Sequence, residues 1–387
     1  MGPSALSKMT PHGVLESPHM KALRSEVRGF LQKRLASGDI TPGVDTWLTY
    51  WDSNFSRDLA HHGYLGMTIP TEYGGGGRTH LERFVVTEEL LAVGAPVAAH
   101  WIADRQIAPS LLTFGTEEQK RRFLPAIARG ECFFGIGMSE PDSGSDLASV
   151  RTQARQVAGG WHLTGSKVWT SGAHHADAFF ALARTAPLNP DRRHDGLSQF
   201  IVDLRAPGVS VQPIVSMSGS HHFNEVHLDD VFISDRDVLG SIGDGWKQVT
   251  SELGYERSGP ERFMSTFMLF DATVHALRRE ASAPSLADVG QLTARLNALH
   301  QMSFAVSGAL EAKENADTAA AVVKVLGTQL EGSIAEIVDL NVGGAQDMDS
   351  TMHDYLQSAL EQRPGFTLRG GTSEILKSVI VKGLRSR

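Results

Sequence analysis

The chain has 387 residues, 41% of them hydrophobic, which is enough for two or three globular domains with apolar cores. Its 44 acidic and 36 basic residues give a net charge of −8 without a long basic run, which argues against nucleic acid as a partner. Cys132 is the only cysteine, so an intrachain disulfide and a multi-cysteine metal site are excluded, and a reducing, cytoplasmic location is expected.

The first segment of the chain, residues 1–20, mixes Pro, Gly, His and Glu and lacks an apolar core. This composition predicts a loosely ordered N-terminal segment rather than a signal peptide or a membrane anchor. No uninterrupted apolar run in the sequence approaches the length of a membrane span. We therefore expect no membrane insertion.

Residues 21–132 follow a helical pattern and predict an N-terminal helical domain. Apolar side chains recur there at the spacing of one helix face, as at Leu23, Val27, Phe30, Leu31 and Leu35. Further along, Thr116 and Gln119 have the spacing of a capping box, which predicts the start of another helix.

The periodicity changes in residues 133–235, where short runs of β-branched and aromatic residues alternate with turns. Gly159-Gly160, between runs that end at Val157 and begin at Trp161, has the composition of a hairpin turn. The segment predicts a central antiparallel β domain.

Residues 236–387 return to long Ala- and Leu-rich segments, such as 286–312 and 318–340. They predict a C-terminal helical domain that resembles a four-helix bundle. The order helix, sheet, helix places the chain in the α+β class.

Two short segments far apart in the sequence carry the strongest functional signal. Gly137–Asp146 reads Gly-Met-Ser-Glu-Pro-Asp-Ser-Gly-Ser-Asp, and Arg369–Glu374 reads Arg-Gly-Gly-Thr-Ser-Glu. The pair resembles the signature segments of the flavin-dependent acyl-CoA dehydrogenases, a resemblance that covers nearly the whole chain. It implies the fold of that family and FAD as the cofactor. Rossmann and P-loop glycine motifs are absent from the sequence, which disfavours nicotinamide cofactors.

The resemblance also implies which residues hold FAD. The backbone from Ile136 through Met138 to Ser145 is expected to pass along the flavin ring, with Ser139 bonded to its pyrimidine side. Ser145 is expected near the FAD phosphate or the CoA chain.

Further along, Trp169 is expected to flank the flavin, and Thr170 is expected to bind the cofactor as well. Ser171 is expected to offer its hydroxyl to the flavin N5. Thr372 and Glu374 match the family pair at a helix start that holds the FAD pyrophosphate. Gly371, beside them, is expected to contact substrate.

The sequence lacks the catalytic Glu that many family members carry directly before Gly-Thr-Ser, because Gly370 occupies that position. Another branch, typified by isovaleryl- and long-chain acyl-CoA dehydrogenases, supplies its Glu from a Leu-x-x-Glu-Arg context. Leu253–Arg257 matches that context, so the resemblance implies Glu256 as the base and Arg257 as a contact of the CoA portion. A carboxylate enclosed with flavin and acyl chain has a raised pKa, which suits removal of an α-proton.

Two histidine pairs, His174-His175 and His221-His222, raise the question of a metal. Adjacent side chains in a strand point to opposite faces, which is poor geometry for joint ligation, so no metal site is expected.

The contacts that homotetrameric relatives lend to a neighbouring FAD are degraded in this sequence. An Arg-x-x-Phe-Gly turn is missing after Arg278-Arg279, and Leu340 replaces the Gln three residues before Gly343-Gly344. The resemblance therefore implies a homo- or heterotetramer, and the missing contacts favour an α2β2 assembly with a paralogous subunit, as in bacterial enzymes for bulky or sterol-derived thioesters.

The expected reaction is the α,β-dehydrogenation of an acyl-CoA to a 2,3-enoyl-CoA in lipid β-oxidation. Glu256 takes the α-proton, flavin N5 takes the β-hydride, and electrons pass to an electron-transfer flavoprotein. Two alternatives stay open: a non-catalytic structural subunit of a heteromeric acyl-CoA dehydrogenase, and a flavin oxidase or monooxygenase on the same scaffold.

Overall fold

The computed structural model describes residues 8–277, 283–342 and 349–385, without the side chains of 253–256, 283–285 and 342. The α-helices are α1 Pro18–Ser37, α2 Thr46–Thr49, α3 Ser53–His61, α4 His80–Ala92, α5 Ala98–Ile102, α6 Ala108–Phe114, α7 Glu117–Ala128, α8 Gly245–Glu256, α9 Phe267–Leu277, α10 Ala283–Glu311, α11 Asp317–Val342, α12 Ser350–Phe366 and α13 Ser373–Arg385. A π-helical turn, Ala103–Ile107, joins α5 to α6. The strands are β1 Phe134–Gly137, β2 Gln153–Val157, β3 Gly160–Lys167, β4 Ala178–Arg184, β5 Leu197–Asp203, β6 Val209–Val215 and β7 His221–Ser234.

The chain forms two compact units, each built from several stretches of sequence. The helical unit comprises the described parts of Met1–Tyr50, Arg78–Pro96 and Glu256–Arg387, and the sheet unit comprises Trp51–Gly77 and Val97–Tyr255. The domain boundaries at residues 20, 132 and 235 stay predictions from the sequence.

In the helical unit, α11 packs against α10, α12 and α13, while α1 and α10 both pack against α4. Apolar stripes explain these contacts. Leu23, Val27, Phe30 and Leu31 of α1 are buried, as the helical spacing predicted. Ala321 and Val325 of α11 meet Leu376 of α13. Near that contact Ile375 remains 38% exposed, because a residue adjacent to Leu376 turns away from the same helix face.

The sheet unit is built on a seven-stranded sheet in the order β1-β4-β2-β3-β7-β6, with β5 added beside β4. Most pairs are antiparallel, as predicted, but β1 and β2 both run parallel to β4, β2 through the single pair Gln153–Arg184. The β2–β3 hairpin returns the chain before β4 begins, so β4 takes the direction of β1. Gly159, at φ 77°, forms the predicted turn of that hairpin.

Local signals fix several element ends. The Thr116 hydroxyl accepts from the Gln119 N–H while the Gln119 side chain accepts from the Thr116 N–H, so the predicted capping box is confirmed. Thr79 and Glu82 form a second capping box at α4, which the same spacing rule would have found. Among the described helices, none is long and apolar enough to cross a membrane.

Candidate active site

The first signature segment begins where β1 ends, in the sheet unit. A tight turn closes on itself there, because the Glu140 N–H donates to the Ser143 carbonyl at 2.8 Å and the Ser143 N–H donates back at 3.0 Å. The Ser143 hydroxyl bonds the Asp146 carbonyl at 2.9 Å, while Ser145 beside it is exposed. The segment is an ordered loop that keeps Ser145 accessible.

A buried ion pair joins this loop to the end of β3. Lys167 Nζ lies 2.7 Å from Glu140 Oε1 and 3.2 Å from the Met138 carbonyl. Burial lowers the pKa of Lys167 to about 8, and the charge of Glu140 limits the fall. Burial alone would raise the pKa of Glu140, but the charge of Lys167 and backbone N–H donors hold it below its ordinary value. The pair fixes Met138 and Ser139 against β3.

Immediately after Lys167, the chain forms a strained turn at Trp169. Trp169 has φ 61°, a left-handed conformation that bulky residues rarely adopt, and its side chain is 57% exposed. The next residue, Thr170, is buried, and its Oγ1 has no hydrogen-bond partner in the described part of the chain. Strained backbone and unpaired buried polar atoms concentrate at functional sites.

One edge of β1 carries no partner strand in the described part of the chain, where β1 pairs only with β4. A Cβ on Gly137 would lie 2.3 Å from the Phe179 ring, so that ring packs directly against the Gly137 backbone. The unpaired Thr170 hydroxyl and the exposed indole of Trp169 offer a hydrogen bond and an aromatic face, which fit the flavin ring of FAD.

The second signature segment lies in the helical unit. Gly370 and Gly371 have φ of 68° and 88°, so two consecutive residues adopt left-handed backbone. Buried Lys324 supports this turn, because its Nζ donates to the Gly371 carbonyl at 2.8 Å and to the Thr367 carbonyl at 3.4 Å. A Cβ on Gly371 would lie 3.5 Å from Arg257 Nη2, so Gly371 and Arg257, both predicted to contact substrate, are neighbours.

The start of α13 differs from the open helix end that the motif implied. The N–H groups of Ser373, Ile375 and Leu376 already bond the Thr367 carbonyl, the Thr372 hydroxyl and the Thr372 carbonyl. Glu374 is exposed, and hydrogen bonds from its own backbone N–H and from Thr372 lower its pKa.

By contrast, Ser373 Oγ is buried and has no hydrogen-bond partner in the ranges that the structure describes. The sequence-based site omitted Ser373, although it stands in the Thr-Ser-Glu motif.

A buried charged cluster lies behind the glycine turn. Arg369 bonds both carboxylate oxygens of Asp45, and its guanidinium stacks 4.6 Å from the centre of the Trp47 ring. Glu331, in the same cluster, accepts from the Ser265 N–H at 2.9 Å. Burial raises the pKa of Glu331 to about 7, and the charge of Arg369 opposes that rise. No sequence motif pointed to Asp45 or Glu331, because their partners are remote along the chain.

The predicted base, Glu256, is the last residue of α8. The backbone of α8 reaches Glu256, but the Glu256 side chain lies outside the described residues. The Gly343-Gly344 pair and Arg278-Arg279 also lie outside them. Leu340, which replaces the family Gln, is 79% exposed on α11. No group of His, Cys, Asp and Glu suited to a metal ion occurs in the residues for which the structure gives side chains.

Comparison with known proteins places the first signature segment within a family domain. Residues 17–131 match the model of the acyl-CoA dehydrogenase N-terminal domain, and residues 135–231 match that of the middle domain. Acyl-CoA dehydrogenase FadE29 of Mycobacterium tuberculosis is 31% identical over 378 residues, which cover 94% of this chain and 96% of the relative.

FadE34 of the same organism is 36% identical over 84% of this chain, but the match spans only 45% of its own length. A solved structure described as the Tcur3481-Tcur3483 steroid ACAD superposes with a TM-score of 0.83 at 27% identity, over 96% of this chain and 99% of that one. The order of helical, β and helical segments is the fold shared with these proteins. The chain therefore belongs to the acyl-CoA dehydrogenase family of flavoprotein oxidoreductases.

Proposed function

We propose that the chain dehydrogenates an acyl-CoA thioester between its α and β carbons and yields a 2,3-enoyl-CoA. The observation that carries this proposal is the turn after β3. It combines an exposed, strained Trp169 with a buried Thr170 hydroxyl that has no partner in the described residues, next to the first signature loop. Strained backbone and unpaired buried polar groups both cost free energy, and a ligand bound at this point would offset that cost.

FAD, when bound, supplies the electron acceptor for the hydride that leaves the β carbon. The chain's own part is to bind and orient it. Trp169 would cover a face of the bound flavin, and the hydroxyls of Ser139, Thr170 and Ser171 would offer it hydrogen bonds. The residues proposed to hold FAD are Ile136, Met138, Ser139, Ser145, Trp169, Thr170, Ser171, Thr372 and Glu374.

Glu256 is the proposed base that removes the α-proton. It follows Leu253 in the Leu-x-x-Glu-Arg context, and exclusion of water around the bound thioester would raise its pKa toward neutrality. Arg257, which lies beside Gly371 in the helical unit, is proposed to contact the CoA portion. Gly371 and Ser145 are further proposed substrate contacts.

An α2β2 assembly with a paralogous chain is the proposed quaternary state. Its support is the replacement of the family Gln by Leu340 and the similarity to a steroid ACAD whose name joins two proteins. A bulky or steroid-derived acyl group is the substrate class that this similarity favours. An electron-transfer flavoprotein is the proposed electron acceptor.

The test is anaerobic bleaching of the flavin by a panel of short, long, branched and steroid acyl-CoAs, with and without a co-expressed paralogue. Bleaching with slow reoxidation in air is the expected result, and rapid reoxidation would favour the oxidase or monooxygenase alternative. Glu256→Gln should abolish bleaching while FAD stays bound. Bleaching that survives this change would overturn the base, and a chain that never bleaches would favour the structural-subunit alternative.

A further inference from the structure

The turn Trp169–Ser171 is hydrogen-bonded to Asn224 of β7, whose neighbour Phe223 packs edge-on against the Trp169 ring. Their backbones pair in both directions, because the Thr170 N–H donates to the Asn224 carbonyl at 3.0 Å and the Asn224 N–H donates to the Thr170 carbonyl at 3.1 Å. The side chain adds a third bond, since Asn224 Nδ2 donates to the same Thr170 carbonyl at 3.0 Å. Both lone pairs of that carbonyl are thereby occupied.

The other end of the Asn224 amide is also fixed. His221 Nε2 lies 2.8 Å from Asn224 Oδ1. Because Nδ2 donates to a carbonyl, Oδ1 is the acceptor, and the His221 ring must carry its proton on Nε2. The His174 ring stacks on the His221 ring with centroids 4.0 Å apart. Asn224 is completely buried, so its amide bonds are shielded from water.

This support is needed because the turn is unstable by itself. Trp169 has left-handed backbone at φ 61°, which is unfavourable for a bulky residue compared with right-handed helical or extended backbone. Backbone pairing with β7 is available to any residue at position 224, but the bond to the Thr170 carbonyl requires a side-chain donor. The residue must also offer an acceptor to the His221 proton; the Asn amide supplies both groups, whereas Asp supplies only the acceptor and Ala neither.

We propose that Asn224, oriented by His221, is a positioning residue that fixes the Trp169–Ser171 turn in the conformation that receives the flavin. The inference rests on the proposed function for the identity of the ligand as FAD. It concerns binding and flavin environment, and therefore has readouts that do not depend on turnover.

The first test compares Asn224→Ala and Asn224→Asp with the wild-type protein. Asp keeps the size and the acceptor but places a carboxylate oxygen against the Thr170 carbonyl, whereas Ala removes both bonds. FAD affinity of the apoprotein should fall about 10-fold or more in each variant, the loss expected for one or two buried hydrogen bonds. The flavin midpoint potential should shift, and kcat should fall more than KM rises.

Two substitutions serve as matched controls in the same unit. Asn189→Ala removes an exposed amide that caps the short helix Pro190–Arg192. His227→Gln changes another β7 histidine, whose ring bonds the Ser166 hydroxyl at 2.6 Å. Both controls should retain wild-type FAD affinity and potential. Wild-type affinity and potential in both Asn224 variants would overturn the proposal.

His221 gives a second test that does not disturb the core, because its side chain is exposed. His221→Gln keeps a donor for Asn224 Oδ1, whereas His221→Phe keeps a ring against His174 without the donor. Affinity for FAD should stay near wild type in the first and fall about 3- to 10-fold in the second. Equal FAD affinities of the two variants would contradict the role of His221. If the Asn224 variants do not fold, this comparison alone tests whether the Asn224 amide positions the turn.

The outcome is separable from that of the proposed function. If acyl-CoAs never bleach the flavin of the wild-type protein, the proposed reaction fails, but FAD affinity and potential still report on Asn224. If bleaching occurs and these two quantities do not respond to Asn224 or His221, the positioning inference alone fails.

Discussion

Arg369 and Asp45, separated by 324 positions in the sequence, form a two-point ion pair in which Nη1 and Nη2 each lie 2.6 Å from one carboxylate oxygen. The Asp45 side chain is inaccessible to solvent, and Asp45 itself has left-handed backbone at φ 59°. The pair anchors the start of the Arg-Gly-Gly-Thr turn within the helical unit. It therefore links an N-terminal segment without a recognisable motif to the second signature.

Asp45→Asn should lower the free energy of unfolding by about 3 kcal/mol, because it leaves the buried Arg369 charge without its main anion. Denaturant unfolding followed by circular dichroism measures the change. The matched control is Glu336→Gln, which breaks the exposed Arg363–Glu336 pair of the same unit and should change stability by less than about 1 kcal/mol. Equal effects of the two substitutions would contradict a special role for the buried pair.

Glu331 should make stability depend on pH in a direction opposite to most carboxylates. Its pKa is about 7 in the folded protein and ordinarily 4.5, so between these values the folded state keeps a proton that the unfolded state releases. Stability from this group is complete below pH 4.5 and declines as the pH rises to 7.

Glu331→Gln mimics the protonated form and should stabilise the protein at pH 8 by on the order of 1–3 kcal/mol, with little effect at pH 4. Urea unfolding at several pH values measures the difference between variant and wild type. A constant difference across this range would show that Glu331 does not titrate there. Glu336→Gln, an exposed change on the same helix, is the control.

Gly137 and Gly144 lie in one signature segment and should respond oppositely to alanine. A Cβ on Gly137 would lie 2.3 Å from the buried Phe179 ring, whereas a Cβ on Gly144 would meet nothing within 4 Å. Gly137→Ala should destabilise by about 1–3 kcal/mol through overpacking. Gly144→Ala should be neutral or stabilise by up to about 1 kcal/mol, because it restricts the unfolded chain. Thermal unfolding of the two apoproteins checks this contrast.

Trp169 should tolerate asparagine better than valine. Asn adopts left-handed backbone readily, while a β-branched residue at φ 61° is strained, so Trp169→Val should be less stable than Trp169→Asn by about 1–2 kcal/mol. Both variants lose the indole face and should bind FAD about 10-fold more weakly. Chemical unfolding and flavin titration measure the two effects separately. If the two variants were equally stable, the left-handed turn would not be the source of strain.

Local chemistry allowed correct prediction of several elements. The capping box at Thr116, the hairpin at Gly159 and the apolar face of α1 depend on residues within a few positions of one another. The parallel pairing of β1 with β4 was not predicted, because it depends on the path of the chain through an intervening hairpin.

The sequence by itself determined the order of helical and β segments, the two signature motifs and hence the family, since each depends on residue types at short and fixed spacing. Only the tertiary structure revealed how those motifs are supported. Three buried hydrogen-bonded pairs provide that support, and their members lie 27 to 324 positions apart: Asn224 with Thr170, Glu140 with Lys167, and Asp45 with Arg369. Such contacts follow from how elements pack, and no local pattern encodes which buried polar group will meet which partner.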